Sequence, residues 1–147
     1  METGIQQPRT SQSFLTVADI ELKRAERYRI FVSLLVLDLS FLPEMLGNAA
    51  EETVEALTQL ARSRVRCTDS VTLMSSNRIA LLFPETPRQS AMAASRRLTE
   101  LIRLALSEKV GKTVDVMIPV EITSYPDAAG TKTLAKALQE LTANSRN

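Results

Sequence analysis

Apolar and polar positions along the chain fall into blocks of two distinct periods. From Ser13 to Tyr28, Phe14, Leu15, Ala18, Leu22 and Ala25 recur at helical spacing, with Glu21, Lys23, Arg24, Glu26 and Arg27 on the other side. Ile30 to Leu39 is almost wholly apolar and reads as a strand covered on both faces, as in an α/β sheet. A short irregular link, Phe41–Gly47, is broken by Pro43. Glu51 to Arg64 returns to helical spacing through Val54, Leu57, Leu60 and Ala61, with Val65 just beyond; Glu51 and Glu52 in the first turn suit the helix dipole.

The stretch Arg66–Pro84 changes period again. Val71 and Leu73 alternate with polar Thr72, Ile79–Phe83 is an apolar run, and Ser75-Ser76-Asn77-Arg78 between them tolerates turn geometry, so a β-hairpin is expected. Thr86-Pro87-Arg88-Gln89 has the form of a helix start, with Thr86 as N-cap, Pro87 at the first helical position and Gln89 at the capping-box place. That helix is expected to run to about Ser107 and to bury Ala91, Ala94, Leu98, Leu101, Ile102 and Ala105. Val114–Tyr125 reads as a strand in which Pro119 requires an edge position or a bulge. Leu134, Leu138 and Leu141 mark a last short helix. Met1–Gln12 is expected to be a flexible tail, leaving 13–147 as the domain, in the order α-β-α-β-β-α-β-α.

Composition narrows the function. A chain of 147 residues that is 44% hydrophobic and 24% charged fits one globular domain, and a net charge of +1 lacks the basic excess of a phosphate-backbone binder. Aromatic residues make up 4% of the chain, too few for a single-strand stacking platform, so no nucleic-acid partner is expected. There is no histidine, which removes the commonest metal ligand and general base, and the single Cys67 rules out an internal disulfide. No His or paired Cys is present to activate Cys67, and Met74 and Met117 read as core or strand filler. No segment has the ~18 apolar residues of a membrane span, and the first residues lack a signal-peptide core, so a cytoplasmic protein is expected.

The run R-x-x-D (Arg66–Asp69), five residues, a five-residue turn, then A-L-L-x-P-x-T resembles the GGDEF (diguanylate cyclase) family. Arg24–Ser40, RAERYRIFVSLLVLDLS, is similar to that family's opening, Val114–Tyr125 to its late strand, and Ser145-Arg146-Asn147 to its closing Gly-Arg-Asn. The usual Asp-x-Leu-Thr-Gly-Leu lead-in is absent. The resemblance implies one α/β (α+β) nucleotide-cyclase-like domain with a central mixed sheet of about five strands flanked by helices. Its middle strands would be Ile30–Leu39 and the Ser70–Met74/Ile79–Phe83 hairpin.

In that family the signature turn lies across GTP, and converting two GTP molecules to cyclic di-GMP needs metal-binding carboxylates. Here Ser75 and Ser76 stand where the glycines belong, Asn77 where the second carboxylate belongs, and Arg78 where a Glu belongs. Asp38 matches the first metal aspartate, but no Asn-Asp pair for the base exists in Phe41–Gly47, and the family's Lys of the last helix has no clear counterpart. The expectation is therefore a non-enzyme with no catalytic residues, metal or cofactor.

The family's product-inhibition motif, by contrast, has counterparts in Arg66, Asp69 and Arg97. Arg pairs two-pronged with guanine O6 and N7, a carboxylate accepts from guanine N1–H and N2, and a second Arg suits a phosphate or a purine face. Cyclic di-GMP is the ligand this implies. The competing reading is a helix-end ion pair between Arg66 and Asp69, with Arg97 on a solvated face beside Arg96. Arg62, Arg64 and Arg66 form a basic stripe near a helix C-terminus that could also attract an anionic dinucleotide. Two functions remain: a cyclic di-GMP sensor, or a protein-interaction or homodimerisation module on the same fold. Regulatory GTP binding is a weaker third.

Overall fold

The computed structural model describes residues 10–126 and 132–145. Residues 1–9 of the expected tail and the closing Arg146-Asn147 lie outside the described residues. Nine elements follow in order: α1 (Ser11–Tyr28), β1 (Val32–Asp38), α2 (Leu42–Leu46), α3 (Ala50–Ser63), β2 (Ser70–Met74), β3 (Arg78–Pro84), α4 (Arg88–Val110), β4 (Val120–Tyr125) and α5 (Leu134–Ser145), with 3-10 turns at Gly47–Ala49 and Ser75–Asn77. None of the described helices is long and apolar enough to cross a membrane.

Helix α1 starts two residues earlier than its hydrophobic spacing predicts. Thr10 and Ser13 cap each other: Thr10 Oγ1 accepts from Ser13 N at 3.0 Å, and Ser13 Oγ accepts from Thr10 N at 3.3 Å. The Phe41–Gly47 link is less irregular than expected, because Pro43 sits in the first turn of α2, where its missing N–H is harmless.

The sheet order is β2-β3-β1-β4, and every neighbouring pair is antiparallel. This corrects the expectation of a mixed sheet of about five strands: among the described residues there are four. An unbroken apolar strand signals cover on both faces, but it does not determine strand direction. Both helical crossovers, β1 to β2 and β3 to β4, skip over a strand. Strands joined by a helix therefore share a direction without being neighbours. The hairpin is not wholly central either, since β2 forms one edge.

Pro119 explains the short fourth strand. It has no N–H to donate, so the ladder begins at Val120, while the Pro119 carbonyl accepts from Asp38 N at 3.0 Å. β4 is an edge, as Pro119 required. Met117, expected as filler, lies outside the strand and is 89% exposed.

Alternation along β1 feeds two cores. Val32, Leu34 and Val36 pack with Phe14, Ala18 and Leu22 of α1 and Leu134, Ala137 and Leu138 of α5. Leu35 and Leu37 pack on the opposite face with Val54 and Leu57 of α3 and Leu98 and Ile102 of α4. β3 divides in the same way, Ala80 and Leu82 against Ile79, Leu81 and Phe83. Because helices cover both faces, the polar Thr72 of β2 is buried like its apolar neighbours. It is 1% exposed, and among the described residues its hydroxyl has no hydrogen-bond partner.

The start of α4 also differs from expectation. Pro87, not Thr86, occupies the N-cap position, and no side chain caps the helix. The hydroxyl of Thr86 is turned elsewhere, into the cleft described next. α4 continues to Val110, where Gly111 at φ 85° ends it in the left-handed region glycine favours. Ala94, Leu101 and Ala105 are only partly buried, and Ser95 and Leu106 complete its inner face.

Candidate functional site

Helix α3 ends at Ser63, with Arg64 as its C-cap, and five residues then turn the chain into β2. Asp69 closes that turn. Its Oδ2 accepts from Arg66 N at 2.9 Å, while its own N donates to Arg66 O at 3.0 Å. The same carboxylate takes the Arg66 guanidinium side-on, Nε to Oδ2 at 3.4 Å and Nη2 to Oδ1 at 3.3 Å. The Asp69 side chain is 4% exposed and that of Arg66 is 61% exposed. A buried acid thus holds an arginine whose far end reaches solvent. Because one partner is so exposed, the ion pair itself contributes little stability, of order 1 kcal/mol or less; its effect is orientational.

Thr86 completes the clamp. Arg66 Nη2 donates to Thr86 Oγ1 at 2.8 Å and to Pro84 O at 3.2 Å, and the Thr86 hydroxyl donates to the same Pro84 carbonyl at 2.8 Å. The Thr86 backbone carbonyl is itself fixed by Ser33 Oγ at 2.7 Å, and Ser33 Oγ lies 2.7 Å from Ser124 Oγ. A single serine inside the apolar run of β1 therefore anchors the β3–α4 loop from beneath. Nη1 of Arg66 takes part in none of these bonds.

A cleft of about 450 Å³ opens in front of this clamp, within the range of small-molecule sites. Val65, Phe83, Pro87, Ala94, Leu98 and Leu101 supply its apolar lining, and Arg64, Arg66, Asp69, Glu85, Thr86, Ser90 and Arg97 supply its polar groups. Ser90, Ala94, Arg97, Leu98 and Leu101 recur at helical spacing, so one face of α4 forms a wall and presents Arg97. Arg96, one residue back, lines a different groove with Thr99 and Arg103. The structure thus brings Arg66, Asp69 and Arg97 to one cleft and separates Arg97 from Arg96.

Sequence reasoning missed the places of Thr86 and Glu85 in the cleft, while Arg64, part of the expected basic stripe, does line it. Glu85 has φ 53°, in the left-handed region, and its Oε2 accepts from Arg24 Nη2 at 3.3 Å. The hydrogen bond to Glu85 and the charge of Glu21 hold Arg24 above its ordinary pKa. Thr86 was masked by a plausible capping motif, and no local signal marks Glu85.

The hairpin turn lies at the other end of β2, roughly 20 Å away at about 3.3 Å per residue. Ser76 (φ 61°) and Asn77 (φ 57°) are left-handed. Asp38 Oδ1 accepts from Ser40 N at 2.9 Å, and Asp38 pairs in register with Arg78, a cation on the same side of the sheet. One carboxylate beside an amide and a guanidinium does not fit a divalent cation. Among the described residues, no group of three or more His, Cys, Asp or Glu could hold a metal.

No family model matches the sequence. No curated protein matches it either. Solved structures do match in fold. A diguanylate cyclase protein from Thermotoga maritima superposes with a TM-score of 0.68 at 18% identity, covering 95% of this chain and 96% of that one. Diguanylate cyclase SiaD of Pseudomonas aeruginosa, solved with its activator SiaC, gives 0.65 at 18% identity; 95% of this chain matches 54% of SiaD, about half its length. The GGDEF domain of DgcB from Caulobacter crescentus, solved with cyclic di-GMP, gives 0.63 at 11% identity over 97% of this chain and 89% of that domain. The fold is that of GGDEF diguanylate cyclase domains.

Proposed function

We propose that this chain is a catalytically inactive GGDEF-like domain that binds cyclic di-GMP in the cleft between the α3–β2 turn and α4. One observation carries the reading. Arg66 and Asp69 on one turn and Arg97 on a separate helix line a single cleft that also has an apolar wall. A cyclic dinucleotide needs both, planar bases against apolar surface and phosphates against guanidinium groups. The complex of the DgcB domain with cyclic di-GMP shows that one domain of this fold takes that ligand.

The three residues have different roles. Arg66 faces the ligand and reads guanine O6 and N7 through its Nη1–Nη2 end, exchanging the Thr86 hydroxyl for the base. Asp69 acts behind it, because both its oxygens are engaged by Arg66 and almost none of it reaches solvent. Arg97 serves a phosphate. Inactivity rests on the hairpin, where Ser75, Ser76, Asn77 and Arg78 provide neither glycine backbone nor a second carboxylate.

Calorimetric titration with cyclic di-GMP tests the reading. Arg66→Ala should weaken binding about ten-fold or more, since a two-pronged Arg–guanine pair is typically worth ~1–3 kcal/mol. Arg97→Ala should weaken it in a salt-sensitive way. No heat at high micromolar ligand from the folded protein would leave a nucleotide-independent interaction or dimerisation module as the function.

A further inference from the structure

We propose that Arg64 is a second phosphate-binding residue of this cleft, which therefore grips a ligand carrying two anionic groups. This rests on the binding reading above and adds a residue to it. Four arginines cluster near the end of α3 and on the facing wall of α4, and their engagements differ. Arg62 donates through Nε and Nη2 to the Val71 carbonyl of edge strand β2, at 3.3 and 3.1 Å. Arg66 is clamped by Asp69, Thr86 and Pro84. Arg64 and Arg97 both line the cleft, and among the described residues neither side chain makes an ion pair or hydrogen bond.

The two carboxylates of the cleft do not offset them. Asp69 is buried against Arg66, and Glu85 is bound by Arg24 from outside. The site therefore holds two uncommitted guanidinium groups, on α3's end and on α4, beside an apolar wall. Placement at a helix C-terminus stabilises a cation in that position, but it does not require one that lines a cleft. Two cations carried on separate elements suit two phosphates joined by a rigid linker, as in a cyclic dinucleotide, better than a mononucleotide.

The test compares wild type, Arg64→Ala, Arg64→Lys and Arg66→Ala by calorimetry, with cyclic di-GMP and with GMP, at low and high salt. Arg64→Ala should weaken cyclic di-GMP binding about ten-fold and flatten its salt dependence, while GMP affinity changes less than three-fold. Arg64→Lys should recover most of the loss, because a point charge serves a phosphate. Urea midpoints measured alongside confirm that each variant is folded. If Arg66→Ala loses binding and Arg64→Ala does not, the Arg64 inference is overturned and the cleft reading stands. If wild type binds no cyclic di-GMP, both fall. Equal losses for both ligands without a salt effect would also overturn the two-phosphate role.

Discussion

Removing the Asp69 carboxylate separates the two ways in which that residue can matter. In Asp69→Ala, Arg66 loses three bonds at once: the backbone cap at 2.9 Å and the side-on pair at 3.4 and 3.3 Å. The cap is comparable to a helix N-cap, about 1 kcal/mol. The ion pair adds less than about 1 kcal/mol, because Arg66 is 61% exposed. A fall of ~1–2 kcal/mol is expected, or roughly 2–8 °C in Tm for a domain of this size. For binding, the consequence is an arginine freed to explore its rotamers, which must be ordered again by the ligand. That costs ~0.5–1.5 kcal/mol, a two- to twelve-fold loss of affinity. The decisive assay is a double-mutant cycle titrated with cyclic di-GMP. If Asp69 works through Arg66, Asp69→Ala has no further effect in an Arg66→Ala background, and preference for GMP over AMP changes only as it does in Arg66→Ala. Additive losses, or a separate collapse of guanine preference in Asp69→Ala, would refute the positioning role and mean that the carboxylate contacts the base directly.

Other consequences follow from particular residues. Thr72→Val should raise stability by about 1 kcal/mol in urea unfolding, since it replaces a buried hydroxyl that lacks a partner with a methyl of the same shape. Ser76→Gly should stabilise by roughly 0.5–1 kcal/mol, because the left-handed φ of 61° costs an L-residue ~1–2 kcal/mol and the added unfolded-state freedom takes back part of the gain; destabilisation would mean that the serine side chain supports the turn. Incubation with GTP and Mg²⁺ or Mn²⁺ should yield no cyclic di-GMP, and turnover abolished by Asp38→Ala would overturn inactivity. Lys132 bonds Glu121 at 2.7 Å and Glu140 at 2.6 Å, and Lys132 lowers the pKa of Glu140. The stabilisation from Glu140 is therefore present above its unfolded value of about 4.3 and lost as pH falls through its lower folded value. Lys132, raised first by Glu121 and then by Glu140, contributes below about 10.4 and loses that contribution as pH rises through its higher folded value. Glu140→Gln should flatten the acid limb of a pH–stability profile.

Much of the architecture was legible because burial on both faces leaves a plain signature. The apolar run of β1, the hairpin and the helical spacing of α4 each appear where their residues predict. Strand direction was not legible: a run such as VSLLVL records cover, and only the skipped-strand connectivity makes its neighbours antiparallel. Local motifs misled where a distant partner competed. Thr86 has the sequence context of a helix cap, yet Arg66, twenty residues earlier, takes its hydroxyl. Thr72, the polar member of an alternating pattern, is buried because α1 and α5 cover that side of the sheet. Arg66, Asp69 and Arg97 were legible through spacing and resemblance, and they do share a cleft. The burial of Asp69 and the availability of Arg64 depend on side-chain engagements that no one-dimensional pattern carries.

The most direct measurement is a backbone amide NMR titration of the folded protein with cyclic di-GMP. The account predicts saturable shifts concentrated at Arg64–Asp69, Glu85–Ser90 and Ala94–Leu101, with the hairpin turn at Ser75–Arg78 unperturbed. Shifts centred on Ser75–Arg78 and Asp38, or a spectrum unchanged at high micromolar ligand, would contradict it.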